Sequence, residues 1–198
     1  LLRTFAIQRL PIKMLFGHVA ALKEDRVERI FVPSVVTLDD PAAETAQVCP
    51  FTSAAPFMAR AAAGGQILTP ALVLGKTFAH FAEEMAPVML ALGVGDDELE
   101  PAYDRALAAQ AAFRAGLRTR GEALLASPFE RALAAAGRPY NLNDPFLNLN
   151  LARHLKRLGV LAFPQGFLPA DQVALIAEGR SLPWRFPRDA MRAALFAE

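Results

Sequence analysis

Between Arg131 and Pro164 the sequence runs through a possible strand, a turn, a helix, a glycine and a second strand. Arg131–Ala136 has the alanine content of a helix, but it runs into Gly137-Arg138-Pro139-Tyr140. A strand stopping at a Gly-x-Pro turn is equally open there. Asp144-Pro145 is a good helix start, with Asp at the cap and Pro at the first position. Leu149, Ala152, Leu155 and Leu158 carry that helix to Gly159. Val160-Leu161-Ala162-Phe163-Pro164 then reads as a strand. That order is a βαβ unit. Strands joined in this way run parallel and need a long crossover, which packs on the sheet with right-handed chirality.

The first half alternates similarly. Ile12, Leu15, Phe16, Val19 and Leu22 share one helical stripe over about Ile12–Lys23. Arg29-Ile30-Phe31-Val32-Pro33 predicts a short strand buried on both faces. Thr37–Gln47 is polar, acidic and interrupted by Pro41, so it reads as a loop. Ser53 is placed to cap a helix over Ala54–Ala63, stopped by Gly64-Gly65. Gln66–Thr69 predicts a second strand. Thr77 caps a helix over Phe78–Leu92 that ends at Gly93. Glu98–Leu125 is the longest helical pattern, with Leu99, Ala102, Ala106, Ala109, Phe113 and Leu117 on one side. About Pro187–Phe196 is an amphipathic helix. The alternation predicts an α/β chain with a small parallel sheet in each half. Its expected divisions are a first lobe over 1–97, a connecting helix over 98–126 and a second lobe over 127–198.

Hydrophobic residues make up 54% of the 198 and charged residues 21%, so the chain is globular rather than disordered. A net charge of +1 gives no reason to expect nucleic acid or an anionic membrane as a partner. No apolar run reaches the roughly 18 residues of a membrane span. Leu1-Leu2-Arg3 has no signal-peptide order, and a single free cysteine favours a reducing cytoplasm. The chain does not begin with Met, which suggests a piece of a longer or processed protein.

Cys49 is the only cysteine, which excludes an intramolecular disulfide and any metal site built from several cysteines of this chain. It lies in Val48-Cys49-Pro50-Phe51, just ahead of a predicted helix. A thiolate is favoured there by the helix N-terminus, as for an iron–sulfur ligand or a reactive thiol. The alternative is a small buried hydrophobe. Lys13 and His18 are five apart and do not share a helical face; His18 beside Gly17 suits a structural hydrogen bond. His80 and Glu84 are four apart, and with no third ligand nearby they suit a surface pair. His154 lies on a basic, solvated helix face. The turn Gly137–Asp144 stands at the carboxyl end of a strand, where open α/β sheets bind ligands. Arg138 there could fork onto a phosphate or carboxylate, and the next helix could add backbone donors. Equally, Arg138, Asn141 and Asp144 could simply tie the turn down. Phosphate-loop, dinucleotide, nucleophile-elbow and zinc-protease motifs are absent, and no acid–base pair points to a cofactor-free enzyme.

Three stretches taken together resemble one family. They are Leu10-Pro11-Ile12-Lys13 with Gly17-His18-Val19, then Arg29–Val36 followed by Cys49-Pro50-Phe51, then Gly137-Arg138-Pro139-Tyr140-Asn141 with Asp144–Asn150. Trp184-Arg185-Phe186 also fits. The chain resembles the 2-hydroxyacyl-CoA dehydratase and benzoyl-CoA reductase superfamily, in particular its dehydratase-like segments associated with acyl-CoA dehydratase activases. The resemblance implies Rossmann-like lobes with an iron–sulfur cluster between them and low-potential electron transfer driven by ATP hydrolysis. The implied partner is an activase-type ATPase or a second dehydratase-like subunit. Cys49 matches a cluster cysteine, Arg131–Ala136 becomes a strand, and Arg138, Tyr140, Asn141 and Asp144 become the ligand-binding turn.

The departures concern the cluster. Arg9 stands where the family's first motif has a cysteine, and the Cys-Gly-Pro-like motif that follows the Trp-containing segment is missing. A cubane takes about four thiolates, so Cys49 alone is an incomplete ligand set. Two functions are therefore expected. One is a component of an ATP-dependent iron–sulfur electron-transfer system, non-catalytic by itself. The other is a cluster-free relative serving as a binding module for an activase.

Overall fold

The computed structural model describes residues 10–38, 46–64, 67–169, 172–176, 179 and 182–197. Arg9, Gly65, Gln66 and most of the 37–47 loop lie outside the described residues. The chain is α/β with small parallel sheets flanked by helices, as the alternating pattern predicts. It divides into two compact units, Leu1–Pro101 and Ala102–Glu198.

In the first unit, α1 (Leu10–Glu24) leads into β1 (Ile30–Phe31) and β2 (Ser34–Thr37). Next come α2 (Pro50–Ala63), β3 (Ile67–Leu68), β4 (Ala71–Val73) and α3 (Phe78–Leu92). β1 pairs parallel with β3 and β2 with β4, at Ile30↔Ile67, Phe31↔Leu68, Ser34↔Ala71 and Val35↔Leu72. Those pairs share one offset, so the two short ladders are one ladder interrupted where Pro33 stands opposite Pro70. The hydrogen bonds Val32 N–H to Leu68 O (2.9 Å) and Ser34 N–H to Pro70 O (2.8 Å) carry it across the gap. In this alternation Pro33 points its missing N–H away from the partner, whereas Pro70 removes a donor from the ladder itself. The register shifts between Val35 and Thr37, after which Thr37 bridges antiparallel to Gln47.

The predicted strand at Arg29–Pro33 is thus two strands split by its proline, and only one face of β1 is covered. Ile30 is buried while Phe31 is 51% exposed. The helix expected to start after Ser53 starts earlier, at Pro50, because Pro50 fits the first helical position. Ser53 is inside the first turn and donates its hydroxyl to Pro50 O at 3.1 Å. Phe16 and Val19 of α1, Ile30, Ala59 of α2 and Ile67 form the core, with Ile12, Leu15 and Met58 packed around it. Lys23 donates to Ala63 O at 2.7 Å, a cation on the carbonyl end of α2. α3 begins and ends where expected, with Thr77 accepting from His80 N–H and Gly93 left-handed at φ 66°.

α4 (Asp96–Leu125) opens with three acidic residues in its first turn, which suits the positive end of the helix dipole. Its predicted apolar stripe is covered only towards its ends. Leu99 is buried, while Ala102, Ala106, Ala109 and Phe113 are exposed. In the second unit follow β5 (Ala132–Ala135), α5 (Pro139–Asn143), α6 (Leu151–Arg157) and β6 (Leu161–Pro164). A short 3-10 turn (Gln165–Phe167) and α7 (Arg185–Phe196) come last. β5 and β6 pair parallel from Ala132↔Leu161 to Ala135↔Pro164, so the alanines form the predicted strand against their helix propensity. Leu124 and Leu125 of α4 pack with Ala134 and Leu161 on a core of Phe163, Leu168 and Ala193. Phe129 meets Phe163 edge to face at 5.9 Å.

The helix expected from Asp144 to Leu158 is not continuous. Asp144 does cap a turn, accepting from Phe146 N–H at 2.8 Å and Leu147 N–H at 3.1 Å. Leu149 and Asn150 then take left-handed φ values of 54° and 58°, and α6 starts only at Leu151. The Asn148 side chain drives the break by competing for the backbone. Asn148 donates to Leu142 O at 2.8 Å and accepts from Leu151 N–H at 3.2 Å.

Gly121 marks the closest approach of α4 to the second unit's 3-10 turn, because a Cβ at that position would run into the main-chain carbonyl of Phe167. Gly121→Ala gains about 1 kcal/mol of helix propensity but overpacks a backbone contact that costs about 1–3 kcal/mol. The variant should therefore unfold at lower urea than the parent, read by circular dichroism.

Candidate functional site

Arg138 follows the carboxyl end of a parallel strand, the edge where α/β sheets bind ligands, whereas Cys49 stands alongside β2 at the start of α2. In the first unit, Gln47 bridges the last residue of β2 and Val48 N–H donates to Val36 O at 3.1 Å. That pairing runs back along β2 and sets Cys49 alongside the strand as the N-cap residue of α2, half-buried, with Pro50 following it. The Cys49 carbonyl accepts from Thr52 and Ser53 N–H, at 2.8 and 3.2 Å. Behind it the fully buried Ser34 donates its hydroxyl to Ser53 O at 2.7 Å, tying β2 to the first turn of α2.

The donor set of the chain does not fit a complete iron–sulfur cubane, which is held by four thiolates. The chain has one cysteine, and among the described residues no group of three His, Cys, Asp or Glu is placed to hold a metal ion. A cluster on Cys49 needs its remaining thiolates from elsewhere.

In the second unit, Arg138 is the N-cap residue of α5, directly after β5, and its guanidinium lies 4.5 Å over the ring of Phe186 in α7. Stacking occupies one face of the planar group and leaves the N–H edge available to fork onto an anion. Gly137 N–H donates to Gln165 Oε1 at 3.0 Å, which joins the segments leaving β5 and β6. Tyr140 and Asn141 are exposed on α5 within a turn of Arg138. Asp144 ends that helix, with its carboxylate committed to the Phe146 and Leu147 amides. The structure thus brings Arg138, Tyr140 and Asn141 together on one exposed turn and uses Asp144 to close it. Phe186 and Gln165 were not singled out from spacing. The Trp184-Arg185-Phe186 stretch is the sequence signal for Phe186, and nothing marks Gln165 beyond its place after a strand.

The histidines fall outside both positions. His18 and Lys13 are exposed on α1, and His154 is exposed on α6. His80 Nε2 stands 3.2 Å from Glu84 Oε1, close enough for an ion pair although out of line for a hydrogen bond. The Glu84 carboxylate is also engaged by Val73 N–H, at 3.0 and 3.1 Å.

A family model described as the CoA enzyme activase uncharacterised domain matches residues 9–168. The chain belongs to that family. The match spans Cys49 and the Arg138 turn. It stops at Leu168, before α7 and Phe186. No curated protein and no solved structure matches the chain. Among the described residues no helix is long and apolar enough to cross a membrane.

Asp144→Ala removes the acceptor of two backbone amides and should destabilise the protein by about 1 kcal/mol. Asp144→Asn, which keeps an accepting oxygen, should recover most of that loss in the same urea titration.

Proposed function

We propose that this chain is a component of an ATP-dependent iron–sulfur electron-transfer system that acts on acyl-CoA-type substrates in the cytoplasm. Its own part is to bind a partner, an activase-type ATPase or a second dehydratase-like subunit, and to lend Cys49 to a cluster completed elsewhere. The observation that carries the reading is the position of Cys49. In a chain of the activase family, the thiol stands half-buried at the start of α2, alongside a parallel strand. A helix N-terminus favours a thiolate, the form that ligates iron. Arg138, Tyr140 and Asn141 supply the contact for an anionic group of the ligand or partner, with Arg138 held ready on Phe186. No step of the chemistry is assigned to this chain alone, since one thiolate does not hold a cubane.

A second reading is favoured by that same thiolate count: a cluster-free module that binds the activase and carries no iron. The two separate in one experiment. The chain is purified without oxygen, alone and together with the activase, and each sample is reconstituted with iron and sulfide. The electron-transfer reading expects little bound iron alone and a visible thiolate-to-iron absorbance in the assembly, lost in Cys49→Ala. If no assembly takes up iron and Cys49→Ala still binds the activase, the cluster-free reading stands and the first is wrong.

A further inference from the structure

The first unit holds a cleft of about 690 Å3 that involves neither Cys49 nor Arg138. Five consecutive residues of the β3–β4 segment line it, Ile67 to Ala71, and α3 contributes Glu83, Glu84, Pro87 and Val88. Arg60 of α2 completes the lining. A run of five neighbours along one wall is a strand edge. The ladder bonds show which edge, because Leu68 and Pro70 accept from Val32 and Ser34 and so face the partner strand. By the alternation of a β-strand, the main-chain groups of Ile67, Thr69, Ala71 and Val73 face the cleft.

Two of these four positions are already used. Ile67 N–H donates to Gly64 O at 3.4 Å. At the other end, Val73 N–H is taken by the Glu84 carboxylate, a side chain plugging the place of a neighbouring strand. Between them, among the described residues, Thr69 and Ala71 have no partner on this edge. The Thr69 hydroxyl is also buried without a hydrogen-bond partner, on a residue only 8% exposed. A buried polar group in that state carries an uncompensated desolvation penalty until something satisfies it.

We propose that this edge receives an extended peptide segment, which pairs with Thr69 and Ala71 as a third strand. Donors and acceptors of Thr69 and Ala71 repeat at the two-residue spacing of a strand, about 6.6 Å, and another strand presents the matching series. The charges fix the ends of the segment. Arg60, in the last turn of α2, stands towards the start of β3, and Glu83 neighbours the carboxylate that binds Val73 at the end of β4. The incoming segment is therefore acidic where it passes Arg60 and basic where it passes Glu83, with a middle that suits Pro87 and Val88. This surface stands apart from the proposed iron–sulfur role and does not depend on it.

The probes are the capped peptide Glu-Val-Thr-Val-Thr-Val-Lys and its reversed sequence, which present the same charges to parallel and antiparallel pairing. Each is titrated into the full chain, with amide hydrogen exchange followed by residue. One of the two should bind saturably and slow exchange at Thr69 and Ala71. Ala71→Pro removes an N–H that bonds nothing in the free protein and should weaken that peptide at least about tenfold. Arg60→Glu combined with Glu83→Lys should exchange the preference between the two peptides, and this holds whether or not the proline variant folds. If neither peptide protects Thr69 and Ala71, or if the charge exchange leaves the preference unchanged, the proposal is wrong.

Discussion

Every named strand pair in this protein is parallel, and a parallel pair cannot be closed by a tight turn. The chain must travel the length of the sheet and return before it can pair again. That necessity places α2 between β2 and β3, and α5 with α6 between β5 and β6. It also gathers the outgoing segments at the carboxyl ends of the strands, free of ladder bonds and able to present side chains. Arg138 sits on such a segment, and Cys49 follows a stretch that folds back along β2. Both are followed by proline, at the first position of the next helix, where a missing N–H costs little. The two units thus share one local arrangement: a half-buried candidate residue, a proline, then a helix.

Much of this was legible in the sequence because it rests on local chemistry. Thr77 and Gly93 delimit α3 by capping, and Gly159 ends the α6 region with φ 67°, as a glycine stop should. The strand character of Ala132–Ala135 is the instructive case. Alanine favours helix by intrinsic propensity, yet four register pairs with Leu161–Pro164 override it. The order of elements pointed that way before any propensity argument did. What stayed hidden depends on long-range partners. Phe186 reaches Arg138 across 48 positions of sequence, and no periodicity connects α7 with a turn after β5. The broken helix after Asp144 was hidden for a different reason. Its cap and its apolar spacing are both genuine helix signals. Asn148, which interrupts it, acts through bonds to Leu142 O and Leu151 N–H that spacing does not reveal.

The same distinction separates side chains that hold the fold from those that remain available. A carboxylate already accepting two backbone amides offers a ligand little, since releasing it exposes both donors. Asp144 and Glu84 are of this kind, though at different places: one closes a turn, the other stops the outer edge of β4. Arg138 is the contrasting case. Its contact is with a ring face, which fixes the plane of the guanidinium without using its donors. Four residues that look equivalent as a polar turn therefore differ in role. Arg138 lies over a ring, Tyr140 and Asn141 are exposed beside it, and the Asp144 carboxylate accepts from two amides of the turn.

Edges follow the same logic as side chains. A two-stranded ladder has two outer edges, and exposed edges invite pairing with other chains. On the β1–β2 side the edge carries Pro33, which has no N–H to offer, and beyond it Val48 N–H and Ala46 O bond to Val36 and Leu38. That edge is blunted and then covered. On the β3–β4 side the proline is out of phase. Pro70 interrupts the inner ladder and leaves the outer edge untouched, with Ile67 tied to Gly64 and Val73 plugged by Glu84 at its two ends. Proline parity within a strand thus decides which edge it protects. With an offset that sets Pro33 opposite Pro70, the two prolines cannot both face outward, and one edge of the ladder is left for something else to close.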